Sequence, residues 1–111
     1  LNVHEGPHAI SNNNKIKLKA GMILSNEPGY YENNKFGIRI ENLITIKKTK
    51  KKLGFVDLTM APIEKSLINK KLLNIDEIKW LNNYHSKVFK NIKEFMSKSE
   101  LNELKIMCSN I

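Results

Sequence analysis

Apolar positions recur at two different spacings along this 111-residue chain, and the period lengthens past Pro62. From Phe36 to Ile46 the spacing is two. Phe36, Ile38, Ile40, Ile44 and Ile46 share one face, interrupted by Asn42, while Arg39, Glu41, Leu43 and Thr45 share the other. Successive side chains of an extended chain point to opposite faces, so this alternation predicts a half-buried strand over 36–46. The apolar run from Gly21 to Glu27 predicts an earlier strand, and the run from Gly54 to Met60 a later one that stops at Pro62. Lys47 to Leu53 falls between apolar runs and predicts a basic, solvated turn. Residues 1–10 read as short extended chain bent at Gly6 and Pro7, and 11–19, with Asn12, Asn13 and Asn14, as a polar loop.

In the second half the spacing becomes helical. Asn74 and Glu77 stand three apart, the arrangement in which an N-cap side chain and an N3 glutamate satisfy each other's backbone N–H groups. Ile78, Leu81, Val88, Ile92 and Phe95 follow along one stripe, with Trp80 and Tyr84 flanking it. That stripe predicts an amphipathic helix of about six turns ending near Ser97. Leu101, Leu104 and Met107 predict a shorter helix from Ser99 to Cys108. Strands followed by helices make the fold class α+β. No segment repeats, and no apolar run approaches the ~18 residues of a membrane span.

Charge alters this picture less than its size suggests. The net charge of +8 invites a nucleic-acid reading. Yet eighteen of the nineteen basic residues are Lys, and Arg39 is the single Arg. Readers of bases and phosphates rely on the planar bidentate fork of Arg. The Lys and Asn excess instead resembles the drift of an AT-rich genome, so neither a nucleic acid nor a membrane is expected as partner. One cysteine, Cys108, cannot form an internal disulfide, which favours a reducing compartment and a cytoplasmic location. The chain opens on Leu1 in mid-phrase and reads as a piece of a longer protein.

The residues with chemical promise are Glu27 and Glu41. Pro28, Gly29, Asn33, Asn34 and Gly37 lie between them and predict turns and strand ends. Each glutamate is seven positions from Asn34, so two antiparallel strands folded about Asn34 would bring them face to face. Carboxylates that close repel one another, shift each other's titration, or share a cation. Taken singly, Glu41 has a plainer reading as a surface charge paired with Arg39 on the same face. His4, in the tight turn His4-Glu5-Gly6-Pro7, would be held in the fixed direction a proton donor needs, and His8 stands beyond that turn. Asp57, Asp76 and His85 have ordinary structural readings, on a strand, in a first helical turn and on a helix flank. Cys108 reads as a packing residue.

Three phrases are more specific together than apart: Asn-Val-His-Glu-Gly-Pro (2–7), Gly-Met-Ile-Leu-Ser-Asn-Glu-Pro-Gly-Tyr-Tyr (21–31) and Phe-Gly-Ile-Arg-Ile-Glu-Asn (36–42). They closely resemble the Xaa-Pro aminopeptidases, the aminopeptidase P branch of the "pita-bread" metallopeptidases. Gly-Phe-Val-Asp-Leu-Thr-Met-Ala-Pro-Ile (54–63) and Trp-Leu-Asn-Asn-Tyr-His (80–85) resemble the C-terminal extension of its cytosolic members. The resemblance implies the C-terminal half of a pita-bread fold, with antiparallel strands followed by a helical extension. It divides the chain into catalytic-domain residues 1–52 and extension residues 53–111. It implies two divalent metals, usually Mn²⁺, with Glu27 and Glu41 as ligands, Glu27 also as general base, and His4 as the histidine that contacts substrate and moves protons. Arg39 and Tyr31 would buttress the ligands through hydrogen bonds. The implied reaction removes the first residue from peptides whose second is proline, and the extension would help form a homodimer. The family's other ligands, two Asp and one His, have no match in this chain, so the chain alone is expected to be inactive. An alternative is a non-catalytic remnant or interaction module.

Overall fold

Asn34 is the pivot of the first half of the chain. Its φ of 58° lies in the left-handed region, which asparagine tolerates better than most residues. The computed structural model describes residues 6–111. Around Asn34 the chain doubles back as one bent antiparallel hairpin whose register never slips. Strand β2 (Gly29–Glu32) pairs with β3 (Phe36–Arg39), with Gly29 opposite Arg39 and Glu32 opposite Phe36. Further out, β1 (Ile23–Asn26) pairs with β4 (Asn42–Lys48), with Asn26 opposite Asn42 and Ile23 opposite Thr45. All these pairs are centred on Asn34.

The expected single strand over 36–46 is two strands, because the ladder breaks at Ile40 and Glu41. Pro28 explains the break. Ile40 donates its N–H to the Pro28 carbonyl at 3.3 Å, but proline has no N–H to return. One hydrogen bond carries the register across a gap that would otherwise hold two. Gly29 opens β2, a strand end as expected, whereas Gly37 departs from expectation by lying inside β3.

The face that carries Leu24, Ile44 and Ile46 is buried and forms the core of this part, with Leu18 and Met22 packed against it. Each such side chain contributes about 1.5–3 kcal/mol through burial. Along the same face toward the pivot, Ile40, Ile38, Phe36 and Tyr30 are exposed. Strand β5 (Leu53–Asp57) completes the three-stranded sheet β1–β4–β5. It is shorter than the sequence pattern predicts: Leu58 and Thr59 leave the ladder to donate to the Leu43 carbonyl, and the Thr59 hydroxyl accepts the Leu43 N–H at 2.8 Å. The expected basic turn over Lys47–Leu53 is shorter, because Lys47 and Lys48 pair with Gly54 and Leu53 in the ladder. The exposed tip is 49–52, closed by Thr49 N–H donating to the Lys52 carbonyl at 2.8 Å.

The described residues divide between Thr59 and Met60 into two compact units. In the second, helix α1 (Ile75–Ile92) opens on the expected capping box of Asn74 and Glu77. It runs five turns rather than six, and a 3-10 turn over Lys93–Phe95 hands the chain to α2 (Lys98–Met107). A second capping box, Ser97 with Glu100, starts α2. The buried stripe of α1 is Leu81, Tyr84, His85 and Val88, an i, i+3, i+4, i+7 set rotated from the expected one. Phe95 and Trp80 are exposed, whereas His85 is fully buried. The segment after Met60 accounts for the rotation. Tyr84 donates its hydroxyl to the Ala61 carbonyl at 2.8 Å, and the His85 Nε2 accepts the Ile63 N–H at 3.1 Å. Backbone thus partners the Tyr84 hydroxyl and one nitrogen of His85, while the His85 Nδ1 is buried with no hydrogen-bond partner among the described residues. No helix among the described residues is long and apolar enough to cross a membrane.

Candidate metal-binding and catalytic site

Period-two geometry puts Ser25, Glu27 and Tyr31 on one face of the outgoing chain, and Arg39 and Glu41 on the same face of the returning chain. Glu27 and Glu41 occupy facing positions in the gap of the ladder, bracketed by the Asn26–Asn42 pair and the Ile40–Pro28 hydrogen bond. The hydrogen-bonded pairs fall on even-numbered residues, so the two glutamates stand at a non-hydrogen-bonded position, where facing side chains approach most closely.

Glu27 is gripped from two directions. The Ser25 hydroxyl donates to its Oε1 at 2.6 Å, and the Arg39 Nη1 pairs with its Oε2. Arg39 also donates from Nε to the Tyr31 hydroxyl at 2.8 Å, with its guanidinium carbon 5.8 Å from the centroid of the Tyr31 ring. This planar fork serves two acceptors at once, which a lysine ammonium at the end of a flexible stem cannot reproduce. The hydrogen bond to Tyr31, followed by the charges of Glu27 and Glu41, holds the guanidinium even more firmly in its charged form. Arg39 thus turns toward Glu27 and Tyr31 rather than forming the ion pair with Glu41 that the plainer reading of Glu41 expects.

Tyr31 reaches Arg39 because its ring lies across two glycines. A Cβ on Gly37, directly opposite Tyr31 in the ladder, would stand 2.6 Å from Tyr31 Cδ1. One on Gly29 would stand 2.8 Å from the Tyr31 hydroxyl. The same spacing could have been seen in the sequence, since Gly29 is two residues before Tyr31 and Gly37 mirrors Tyr31 through Asn34. Ser25, two residues before Glu27 on the same face, is likewise legible from period-two spacing.

Glu27, Arg39 and Glu41 line a groove of about 880 Å³, with His8, Ile10 and Ile23 along its wall. The His8 Nε2 lies 3.0 Å from the Ile23 carbonyl. A nitrogen facing a carbonyl carries the proton, so the Nε2–H tautomer is fixed. His4 lies outside the described residues. Elsewhere, Asp57 sits on β5 opposite Ile44 and Asp76 in the first turn of α1. Burial pushes the Cys108 thiol up, which suits a packing residue. Carboxylate oxygens suit hard dications such as Mn²⁺ and Mg²⁺, and Glu27 and Glu41 fit such a centre in kind and placement. They do not complete one, since the described residues contain no cluster of three or more His, Cys, Asp or Glu side chains.

Two family models match consecutive parts of the chain: "metallopeptidase family M24" over residues 1–48 and "C-terminal region of peptidase_M24" over 51–111. The chain belongs to the M24 metallopeptidase family. A probable Xaa-Pro aminopeptidase P of Laccaria bicolor is 45% identical over 107 residues, spanning 86% of this chain and 17% of the relative. One from Tuber melanosporum is 44% identical over 112 residues, spanning 91% and 18%. Among solved structures, the X-prolyl aminopeptidase of Caenorhabditis elegans, described as a cytosolic enzyme with a di-nuclear active site, superposes on all of this chain. The TM-score is 0.86 at 40% identity, and the match spans 20% of that enzyme. Antiparallel sheets followed by two helices are the C-terminal part of the X-prolyl aminopeptidase fold. The chain spans less than a fifth of the length of these curated relatives.

Proposed function

We propose that this chain is the C-terminal portion of a cytoplasmic Xaa-Pro aminopeptidase, a hydrolase that removes the first residue from peptides with proline second. Residues 1–52 serve its catalytic domain and 53–111 its C-terminal extension. The observation that carries the reading is the facing placement of Glu27 and Glu41, with Arg39 gripping the first of them and itself bonded to Tyr31. Likeness to Xaa-Pro aminopeptidases along both compact units supports it.

In this reading Glu27 and Glu41 are ligands to two divalent ions, which we take to be Mn²⁺. Bound there, the ions would polarise the scissile carbonyl and activate water. Glu27 accepts the proton released by that water, its carboxylate held in place by the cationic Arg39. Tyr31 holds Arg39 in line, so the direction of Glu27 is set before substrate arrives. His4 contacts the peptide and passes a proton to the leaving nitrogen of the proline. The groove wall of Ile10 and Ile23 gives an apolar surface along which a peptide can lie. Exposed apolar residues of the second unit, among them Leu72, Ile75 and Phe95, support a homodimer through the extension.

The test compares two proteins. The full-length protein carrying this segment, loaded with Mn²⁺, should release the first residue of an Xaa-Pro peptide, and Glu27→Gln or Glu41→Gln should lower kcat by about a thousandfold or more. The 111-residue chain alone should release none, because two carboxylates cannot complete the centre. Cleavage by the chain alone would overturn the assignment of the missing ligands. A full-length protein that binds no metal and cleaves nothing would favour the competing reading, a non-catalytic interaction module.

A further inference from the structure

Ser25 has no part in the proposed reaction, yet it makes one of the shortest hydrogen bonds among the described residues. Its hydroxyl donates to the Glu27 Oε1 at 2.6 Å, within the range of an O–H bond to an anionic oxygen. The bond is partly shielded from water: both residues are half-buried, with the Glu27 side chain 19% exposed. Arg39 engages the other oxygen of the same carboxylate. A glutamate side chain has three rotatable torsions and loses much rotamer freedom when held. A donor on each oxygen, arriving from different strands, fixes both the position and the plane of the carboxylate. A carboxylate offers about four acceptor positions, so these two donors do not exhaust it.

Geometry makes Ser25 suited to this task. It lies two residues before Glu27 on the same face of the outgoing chain, and its partner across the ladder is Leu43. Leu43 offers no polar group from its side chain, so the hydroxyl finds its acceptor along its own strand. Pro28 follows Glu27 directly and keeps Glu27 extended, because the residue before a proline is excluded from helical conformations. Extended backbone from 25 to 27 places the two side chains side by side.

We propose that Ser25 is a positioning residue for Glu27. Its hydroxyl sets the carboxylate plane that a divalent cation meets, and it shares with Arg39 the work of holding that carboxylate still. This rests on Glu27 being a metal ligand. Groups that orient a metal ligand typically cost about 10–100-fold in affinity or activity when removed. Glu27 keeps Arg39 in this case, so the lower end applies.

The experiment compares Ser25→Ala and Ser25→Thr in the full-length protein, using Mn²⁺ as the probe. Three readouts are needed: Mn²⁺ affinity by titration of the metal-stripped protein, kcat and KM for an Xaa-Pro peptide at saturating Mn²⁺, and the metal-free melting temperature. Ser25→Ala should weaken Mn²⁺ binding about tenfold and lower kcat with KM unchanged, while Ser25→Thr, which keeps the hydroxyl, restores both. Both variants should melt with the parent. Unchanged Mn²⁺ affinity in Ser25→Ala would overturn the proposal. Equal losses in Ala and Thr would also overturn it, because the shape of the position and not its hydroxyl would then matter. If the parent binds Mn²⁺ but cleaves no Xaa-Pro peptide, the proposed reaction fails while the affinities still decide the role of Ser25.

Discussion

The two compact units use the same physical means for opposite ends. In the hairpin unit the polar face is organised and much of the apolar face is not. Ser25, Glu27, Arg39 and Tyr31 form a continuous hydrogen-bonded chain, while Tyr30, Phe36, Ile38 and Ile40 are exposed. In the helical unit polar groups serve burial. Two capping boxes close the helix starts. The Lys65 ammonium donates to the Ile106 and Ser109 carbonyls, each at 2.8 Å, satisfying carbonyls at the end of α2. Tyr84 is buried with its hydroxyl donating to backbone, and His85 with its Nε2 accepting from backbone. The contrast teaches that hydrogen bonds hold charge in place in one unit and hold the core closed in the other. Substitutions should therefore separate cleanly, with stability lost in the helical unit and chemistry lost in the hairpin.

The largest effect tests the helical side of that contrast. Leu81 is 4% exposed at the centre of the buried stripe. Leu81→Ala should cost about 2–5 kcal/mol, the range for emptying a leucine site in a core. Hydrogen exchange should show the loss as reduced protection of α1 amides. The hairpin amides should keep theirs. If β1 and β4 lose protection equally, the units unfold as one and the separation is wrong.

Gly37→Ala tests the hairpin side and should be milder in stability and sharper in chemistry. The added Cβ would stand 2.6 Å from Tyr31 Cδ1. The ring must tip away, and its hydroxyl then leaves the Arg39 Nε. Peptidase activity of the full-length protein should fall about tenfold, equivalent to about 1.4 kcal/mol, with little change in melting. Gly54→Ala is the control, since a Cβ there meets nothing within 4 Å. If both substitutions are silent, Tyr31 does not hold Arg39 in the working enzyme.

How much of this was legible follows from which constraints are local. The register needs a turn centre and matched apolar periods, and both are written in the sequence around Asn34. So the facing of Glu27 and Glu41 could be read before any coordinates, as could the capping box at Asn74. The break at Ile40 and Glu41 was also written there, in Pro28, but only pairing gives the missing N–H a consequence. Gly29 and Gly37 look like turn residues because glycine usually buys conformational freedom, and here the requirement is space for a ring from the other strand. The rotation of the α1 stripe was not legible. It depends on residues 61–63 meeting Tyr84 and His85, more than twenty positions away, and no periodicity encodes such an encounter.

That encounter supplies the only predicted effect set by pH, smallest near neutrality. His85 is fully buried, and its Nε2 accepts the Ile63 N–H. Burial, followed by the nearby charge of Lys65, pushes its pKa below the ordinary value. A protonated ring would carry an Nε2–H pointed at another N–H, so the folded form holds the neutral ring. The unfolded chain then binds more protons than the folded one below the unfolded pKa of about 6.5, and stability falls as pH falls. The contribution is complete well above pH 6.5. It should be down by about 0.4 kcal/mol at pH 6.5 and then decline by up to about 1.4 kcal/mol per pH unit, until the depressed folded pKa is reached. Exchange protection of the Ile63 amide and of α1, followed from pH 8 to pH 5 and corrected for intrinsic exchange, should show that slope. His85→Gln should flatten it. A slope that survives in His85→Gln would assign the acid sensitivity of this unit to other groups, with Glu64 and Glu100, both held low by N-terminal hydrogen bonds, next in line.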